Sequence, residues 1–322
     1  MRRRLSLAGI VGLVIAASTV LCAAEAGYPD RTIEIVVSYG AGGSTDLVAR
    51  AIAQKMQDRF GKPVVVLNKP GASGIVGATY AAHAAPDGYT VYVGYTSEMV
   101  VVPQISKEAK YSIDDFAPIA VTGIVPVVLI AAKTVQANTL QDLIAEIKQS
   151  PGKYTFGGSI GSPSHIMGSW LNRLYGLKTT HVPYRGGAQS VTDVIGGHID
   201  MFYAGVAAAK AAIDSGSVKA YAVTGIKRSS ALPDVPTFAE AGVKDFDLAS
   251  WNVLVAPKGT AADIIGTLKP ATLQALADPQ VRALLAAQGV EPSDTQDVSA
   301  FLASEREKFG RVVRELGITM EP

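Results

Sequence analysis

A glycine loop set between a strand and a helix limits the folds open to this chain more than any other feature. Ile33 to Arg50 reads IEIVVSYGAGGSTDLVAR. Ile33 to Val37 are mostly apolar and β-branched, the pattern of a buried strand. Ser38 to Gly43 are too rich in glycine for regular structure. Ser44 is placed to cap a helix, and Asp46 falls in its first turn, where a carboxylate suits the dipole. Leu47, Val48, Ala51 and Ile52 follow at helical spacing. Strand, glycine loop and helix N-terminus aim free backbone N–H groups at an anion, so the loop is expected to hold a carboxylate. Taken alone, the glycines fit a tight turn equally well. A dinucleotide fingerprint is not met, because Thr45 stands where a third glycine is required, and there is no Walker lysine.

The unit recurs. Tyr154 to Gly158 read as a strand and Ser159 to Gly161 as a loop. Ser162 is an N-cap, with Pro163 at the first helical position and Ser164, His165, Ile166 and Met167 opening the helix. His181 to Tyr184 are extended, and Arg185-Gly186-Gly187 precede a helix through Val191, Val194 and Ile195. Pro63–Leu67, Thr90–Gly94, Met201–Gly205 and Lys219–Thr224 read as further strands. The alternation predicts an α/β fold with largely parallel sheets and a ligand beyond the carboxyl ends of the strands. Ala120 to Ala132, with Pro126 at its middle, reads as one strand bending between domains, and Leu248 to Ala256 as a second crossing. Two lobes follow, one of residues 27–126 plus 248–322 and the other of 127–247, with a cleft between them. Helices over Ile264–Ala277, Pro279–Gly289 and Val298–Leu316 complete the first lobe.

A chain of 322 residues suits two domains, and 48% hydrophobic against 18% charged residues allows large cores. With a formal net charge of +1 and no basic run past the N-terminus, nucleic acid is not an expected partner. Residues 1–26 read as a cleaved export signal: Arg2-Arg3-Arg4, an apolar Leu5–Leu21, then Ala24-Glu25-Ala26. The apolar run is short of the roughly 20 residues of a membrane span. Its removal takes three positive charges and one negative, leaving −1. Either the Sec or the twin-arginine route would serve, and the mature protein is expected in the periplasm. Cys22 is the only cysteine. It lies within the signal behind Leu21, where a lipoprotein acceptor needs a small residue. The mature chain therefore has no disulfide, thiolate metal site or cysteine nucleophile.

Gly157 to Gly161 match G-x-S-x-G, making Ser159 the candidate nucleophile of a hydrolase. That reading needs an acid and then a histidine later in the chain, and no histidine follows His198. His83, His165, His181 and His198 are scattered, so no metal site is expected. The cleft loops carry neutral donors instead: Tyr39, Tyr95, Thr96, Ser97, Ser159, Ser162, Ser164 and Tyr184, with the N–H groups of Gly42, Gly43, Gly186 and Gly187. Each serine alone reads as a helix cap. Together they describe a site that binds an anion reversibly, without cofactor or metal.

YPDRTI (28–33), GAGGSTD (40–46), NKPGASG (68–74), APDGYT (85–90), HVPYRGG (181–187), GGHID (196–200), ALPDVPTFAEAG (231–242) and LADPQVRALLAAQGVEP (276–292) occur in one order along the whole mature chain. This set resembles the Bug family, the extracytoplasmic solute receptors of tripartite tricarboxylate transporters. The resemblance implies a two-lobed periplasmic-binding-protein fold, type II-like, with two interdomain crossings. It implies a small organic acid as ligand and integral-membrane transporter subunits as partners. The missing triad and metal set count against an enzyme, and a monomeric receptor is expected. The loop at 39–46 is then expected to hold a carboxylate, partly through ordered water, with further contacts from 95–97 and 158–165. The ligand-binding set expected on these grounds is Tyr39, Gly42, Gly43, Ser44, Asp46, Tyr95, Thr96, Ser97, Ser159, Ser162, Ser164, His165, Tyr184 and Tyr203. The chain departs from the family where Tyr203-Ala204-Gly205 replace a frequent Phe-Asp-Asn and Val102 replaces an asparagine. Tyr39 and Tyr95 stand where phenylalanine and a small residue are frequent. If these positions line the cleft, they favour an aromatic carboxylate such as terephthalate over an aliphatic di- or tricarboxylate.

Overall fold

The structure is a computed structural model and describes residues 27–184 and 186–320. The expected signal at 1–26, with Cys22, and Arg185 of the third glycine loop lie outside the described residues. The first lobe opens with β1 (Ile33–Val37), α1 (Ser44–Phe60), β2 (Val64–Asn68), α2 (Ile75–Ala82), β3 (Thr90–Tyr95), α3 (Val102–Ile105) and β4 (Phe116–Val125). The second lobe follows as β5 (Val127–Ala132), α4 (Leu140–Gln149), β6 (Thr155–Gly158), α5 (Pro163–Tyr175), β7 (Thr180–Pro183), α6 (Gly187–Ile195), β8 (Met201–Gly205), α7 (Val206–Asp214) and β9 (Val218–Val223). The chain then returns through β10 (Ser250–Pro257), α8 (Ala262–Ala277), α9 (Pro279–Ala287) and α10 (Val298–Leu316).

Two five-stranded sheets result, ordered β2-β1-β3-β10-β4 and β7-β6-β8-β5-β9. They share one topology, with β1 matching β6, β2 matching β7, β3 matching β8 and β10 matching β5. The sheets are mixed, not largely parallel. β1 pairs β2 and β3 in parallel, but β10 runs antiparallel to β3 and β4. In the second sheet β6 pairs β7 and β8 in parallel, while β5 is antiparallel to β8 and β9. The cause is the hinge. A strand arriving from the other lobe starts at the cleft end of the sheet, where β3 and β8 finish, and must run against them: Asn252 pairs with Tyr95, and Val127 with Gly205.

The apolar run 120–132 is two strands, not one bent strand. Pro126 has no N–H to give a ladder and ends the first sheet's contribution at Val125. The second crossing is complete before Ser250, because β10 lies wholly in the first sheet. Helices cover both sheets. One buried cluster runs through both lobes, joining Val36 and Tyr92 of the first sheet to Leu129 and Phe156 of the second through Trp251 and Phe309. α10 packs on both β4 and α5, so the last helix spans the lobes. No helix among the described residues is long and apolar enough to cross a membrane.

Candidate functional site

The carboxyl ends of both sheets face one cleft of about 820 Å³. The first lobe lines it with the loops after β1, β2 and β3, and the second with the loops after β6 and β7 and the end of β8. Val125 and Val127 form the hinge wall, and Met320 reaches in from the C-terminal tail. Every described lining residue is uncharged. α1, α5 and α6 all begin at this cleft. Gly43 and Gly186, the caps of α1 and α6, have no side chain to occupy the first N–H groups, which stay available to an anion.

Tyr39, Gly43, Ser44, Tyr95, Ser97, Ser159, Ser162, Ser164, Tyr184 and Tyr203 line the cleft. Gly42, Asp46, Thr96 and His165 do not, and each has another partner. Asp46 is almost wholly buried and turns back on its own helix. Its Oδ2 accepts from Gly42 N–H at 2.9 Å and Arg50 Nε at 2.8 Å, and its Oδ1 accepts from Asn68 Nδ2 at 2.8 Å. These donors hold its carboxyl below the usual range although burial opposes them. Asp46 therefore braces the glycine loop from beneath. Ser44 is the first helical residue and not the cap, which is Gly43. Thr96 Oγ1 accepts from Trp251 N–H at 2.7 Å, tying β3 to β10.

Serines of the second lobe hold loops together. Ser159 Oγ donates to Tyr184 O at 2.7 Å and Ser164 Oγ to Tyr203 O at 2.7 Å. Ser162 caps α5 by accepting from His165 N–H. Ser159 thus bonds to a backbone carbonyl and to no imidazole, which is not the arrangement of an activated nucleophile. His165 Nδ1 accepts from Gly161 N–H at 3.2 Å, and its ring stacks on His181 with centroids 4.1 Å apart. His181 donates Nε2–H to Gly158 O at 2.8 Å. Burial keeps both imidazoles neutral, pushing His165 down to about 4 with help from the neighbouring His181. Of the family departures, Tyr203 and Gly205 line the cleft, but Val102 and Ala204 lie in cores facing away from it.

Sequence reasoning missed Pro70 to Gly74, Met320 and, above all, Glu98. Glu98 is fully buried in a wide π-helical turn, Ser97–Val101, directly after the cleft residue Ser97. Its Oε2 accepts from Tyr39 OH at 2.6 Å, and its Oε1 from Tyr95 N–H at 2.7 Å and Tyr92 OH at 3.0 Å. Its side chain lies under Gly74, where a Cβ would come within 2.8 Å of Glu98 Cβ and where φ is +95°. Burial pushes its carboxyl up to about 7 against the pull of these donors. A lone acid before the apolar run Met99 to Val102 was the available signal. The lobes also touch directly: Ser97 Oγ donates to Gly161 O at 3.1 Å, and Gly161 packs against Ile105 and Met320.

The family model described as "Tripartite tricarboxylate transporter family receptor" matches residues 48–318. The protein BugT of Bordetella pertussis is 33% identical over 321 residues, covering 98% of both chains. Two solved structures superpose closely. R. palustris Rpa4515 with adipate has a TM-score of 0.80 at 30% identity, covering 91% of this chain and 99% of that one. MatC from Rhodopseudomonas palustris with bound malate has a TM-score of 0.77 at 31% identity, covering 89% and 100%.

Proposed function

Since this chain belongs to the tripartite tricarboxylate transporter receptor family, whose members are solute-binding receptors and not enzymes, we propose that it captures a small organic carboxylate in the periplasm and delivers it to integral-membrane subunits of such a transporter. The observation that carries this reading is a cleft whose described lining residues are all uncharged, ringed by glycine loops and helix N-termini from both sheets. Residues 27–126 with 248–322 act as one lobe and 127–247 as the other. The glycine loop braced by Asp46 takes a carboxylate. Ser159 to Ser164 and Tyr184 then reach the ligand from the second lobe, and that added contact favours the closed state.

We further propose an aromatic dicarboxylate such as terephthalate as the ligand. Tyr39, Tyr95, Tyr184, Phe202 and Tyr203 all line the cleft, and Tyr39 meets Tyr95 edge to face at 6.1 Å. Aromatic pairs in this geometry add about 0.5–1.5 kcal/mol beyond their buried area, and a ligand ring could join them. A second reading, an aliphatic dicarboxylate, is favoured by the adipate and malate in the two similar structures. A thermal-shift panel of terephthalate, adipate, malate and citrate separates them, because an acid at 100 times its Kd adds about 2.7 kcal/mol. Shifts with aliphatic acids alone would reject the aromatic reading. Turnover of a bound acid by the purified protein would reject the receptor reading.

A further inference from the structure

Glu98 sits beneath all three cleft loops of the first lobe, yet no positive charge among the described residues faces it. Tyr39 comes from the loop after β1, Gly74 from the loop after β2, and Tyr92 and Tyr95 from β3 itself. The titratable groups coupled to it are Tyr39, Tyr92, Tyr95 and Tyr111, whose hydroxyl donates to Glu98 O at 2.9 Å. α2 and α10, packed on the same turn, contribute Ile75, Ala78, Phe309 and Val313 to the surrounding core, and none of these titrates. An ionised Glu98 would therefore place a buried negative charge, held by hydrogen bonds but paired with no cation among the described residues, one residue from a cleft built for anions. Burial that favours the neutral acid agrees with this geometry.

The Tyr39 hydroxyl carries the consequence. A phenol has one hydrogen to donate. Tyr39 lines the cleft and stands 2.6 Å from Glu98 Oε2. Facing a carboxylate, that hydrogen must point inward to Glu98. Facing a carboxylic acid, the Tyr39 oxygen accepts from Glu98 and its own hydrogen is released. We infer that Glu98 is a positioning residue through which the receptor takes up its anion together with a proton: protonated Glu98 donates to Tyr39, and the Tyr39 hydroxyl then donates to the ligand carboxylate. One proton moves from solvent to Glu98 Oε2, and no other bond changes. This step rests on the carboxylate-receptor reading above. It adds that the receptor senses the acidity of its surroundings as well as the ligand.

The sign follows from linkage. A bound anion disfavours ionised Glu98 further, so binding takes up a proton and affinity falls as pH rises from neutrality. The limit is about tenfold per pH unit for one proton. Calorimetry with the panel acid giving the largest thermal shift, run from pH 6 to 8.5 in buffers of different ionisation heat, is expected to show proton uptake and this decline. Glu98→Gln should keep binding at pH 8.5 and lose the pH dependence. Tyr39→Phe should bind more weakly at pH 6, toward the level seen in wild type at pH 8.5, and show a shallower slope. In ligand-free protein at pH 6, an infrared band of a protonated carboxyl should be present in wild type and absent in Glu98→Gln. Flat affinity across this range, an unchanged slope in Glu98→Gln, or no such band overturns the proposal, and wild type alone suffices for the first if the variant does not fold. Binding that ignores pH leaves the receptor reading standing. Failure of every panel acid to bind removes the receptor reading and this step with it.

Discussion

Asp46 acts on the cleft without reaching it. Its carboxylate fixes Gly42 from one side and is itself fixed by Arg50 and Asn68. Asp46→Ala leaves the Gly42 N–H without its partner and frees the loop. Hydrogen bonds to a charged group contribute about 1.5–3 kcal/mol, so ligand affinity should fall roughly tenfold or more while the cooperative melt is kept. Calorimetry and amide exchange at Gly42 check this, and unchanged affinity would detach the loop from the site. The stacked pair His165 and His181 gives a second prediction at this scale. Both are held neutral in the folded protein, His165 down to about 4 from a usual 6.5. Between these values the unfolded chain takes up protons that the folded chain refuses. Their contribution to stability is thus complete above pH 6.5 and lost as pH falls toward 4. Urea unfolding across pH 4–7 should show the decline, and His165→Asn should flatten it. An equal slope in that variant would place the effect elsewhere.

At the scale of elements, the lobes meet at the cleft through a residue without a side chain, beside the core and the last helix that they share. Gly161 has φ of +75°, and a Cβ there would come within 2.9 Å of Ile105 Cδ1. Gly161→Ala puts a side chain at a positive φ and pushes Ile105 Cδ1 and Met320 aside, so it should strain the second-lobe loop and weaken ligand binding severalfold by calorimetry. Affinity equal to wild type would mean that the cleft does not depend on this contact. The strand–loop–helix units that frame the cleft were legible in the sequence because their signals are local: β-branched runs, glycines, Ser162-Pro163 at a helix start. The direction of β5 and β10 was not, because it depends on partners far away in the chain. Within the site, the neutral serines were legible. The turn of Asp46 toward Arg50 was visible only as an i, i+4 spacing that fits either a ligand contact or an internal brace. Glu98 and Met320 gain meaning only when distant segments meet.

At the scale of the molecule, the two sheets have the same strand order, but the chain fills them at very different times. The five strands of the second sheet follow one another between residues 127 and 223, and none is borrowed. The first sheet lacks an interior strand, β10, until the ribosome has passed residue 257, and Thr96 must wait for Trp251, 155 positions later. Until then β3 and β4 have no strand between them, and closing so long a loop is slow. The fragment 127–247 should therefore fold alone, with a cooperative melt by circular dichroism, whereas 27–126 should not. Two structural equals are thus an early folder and a late one. A chain interrupted in synthesis would carry a finished second lobe beside a first lobe with unpaired strand edges, the half most exposed to chaperones and proteases.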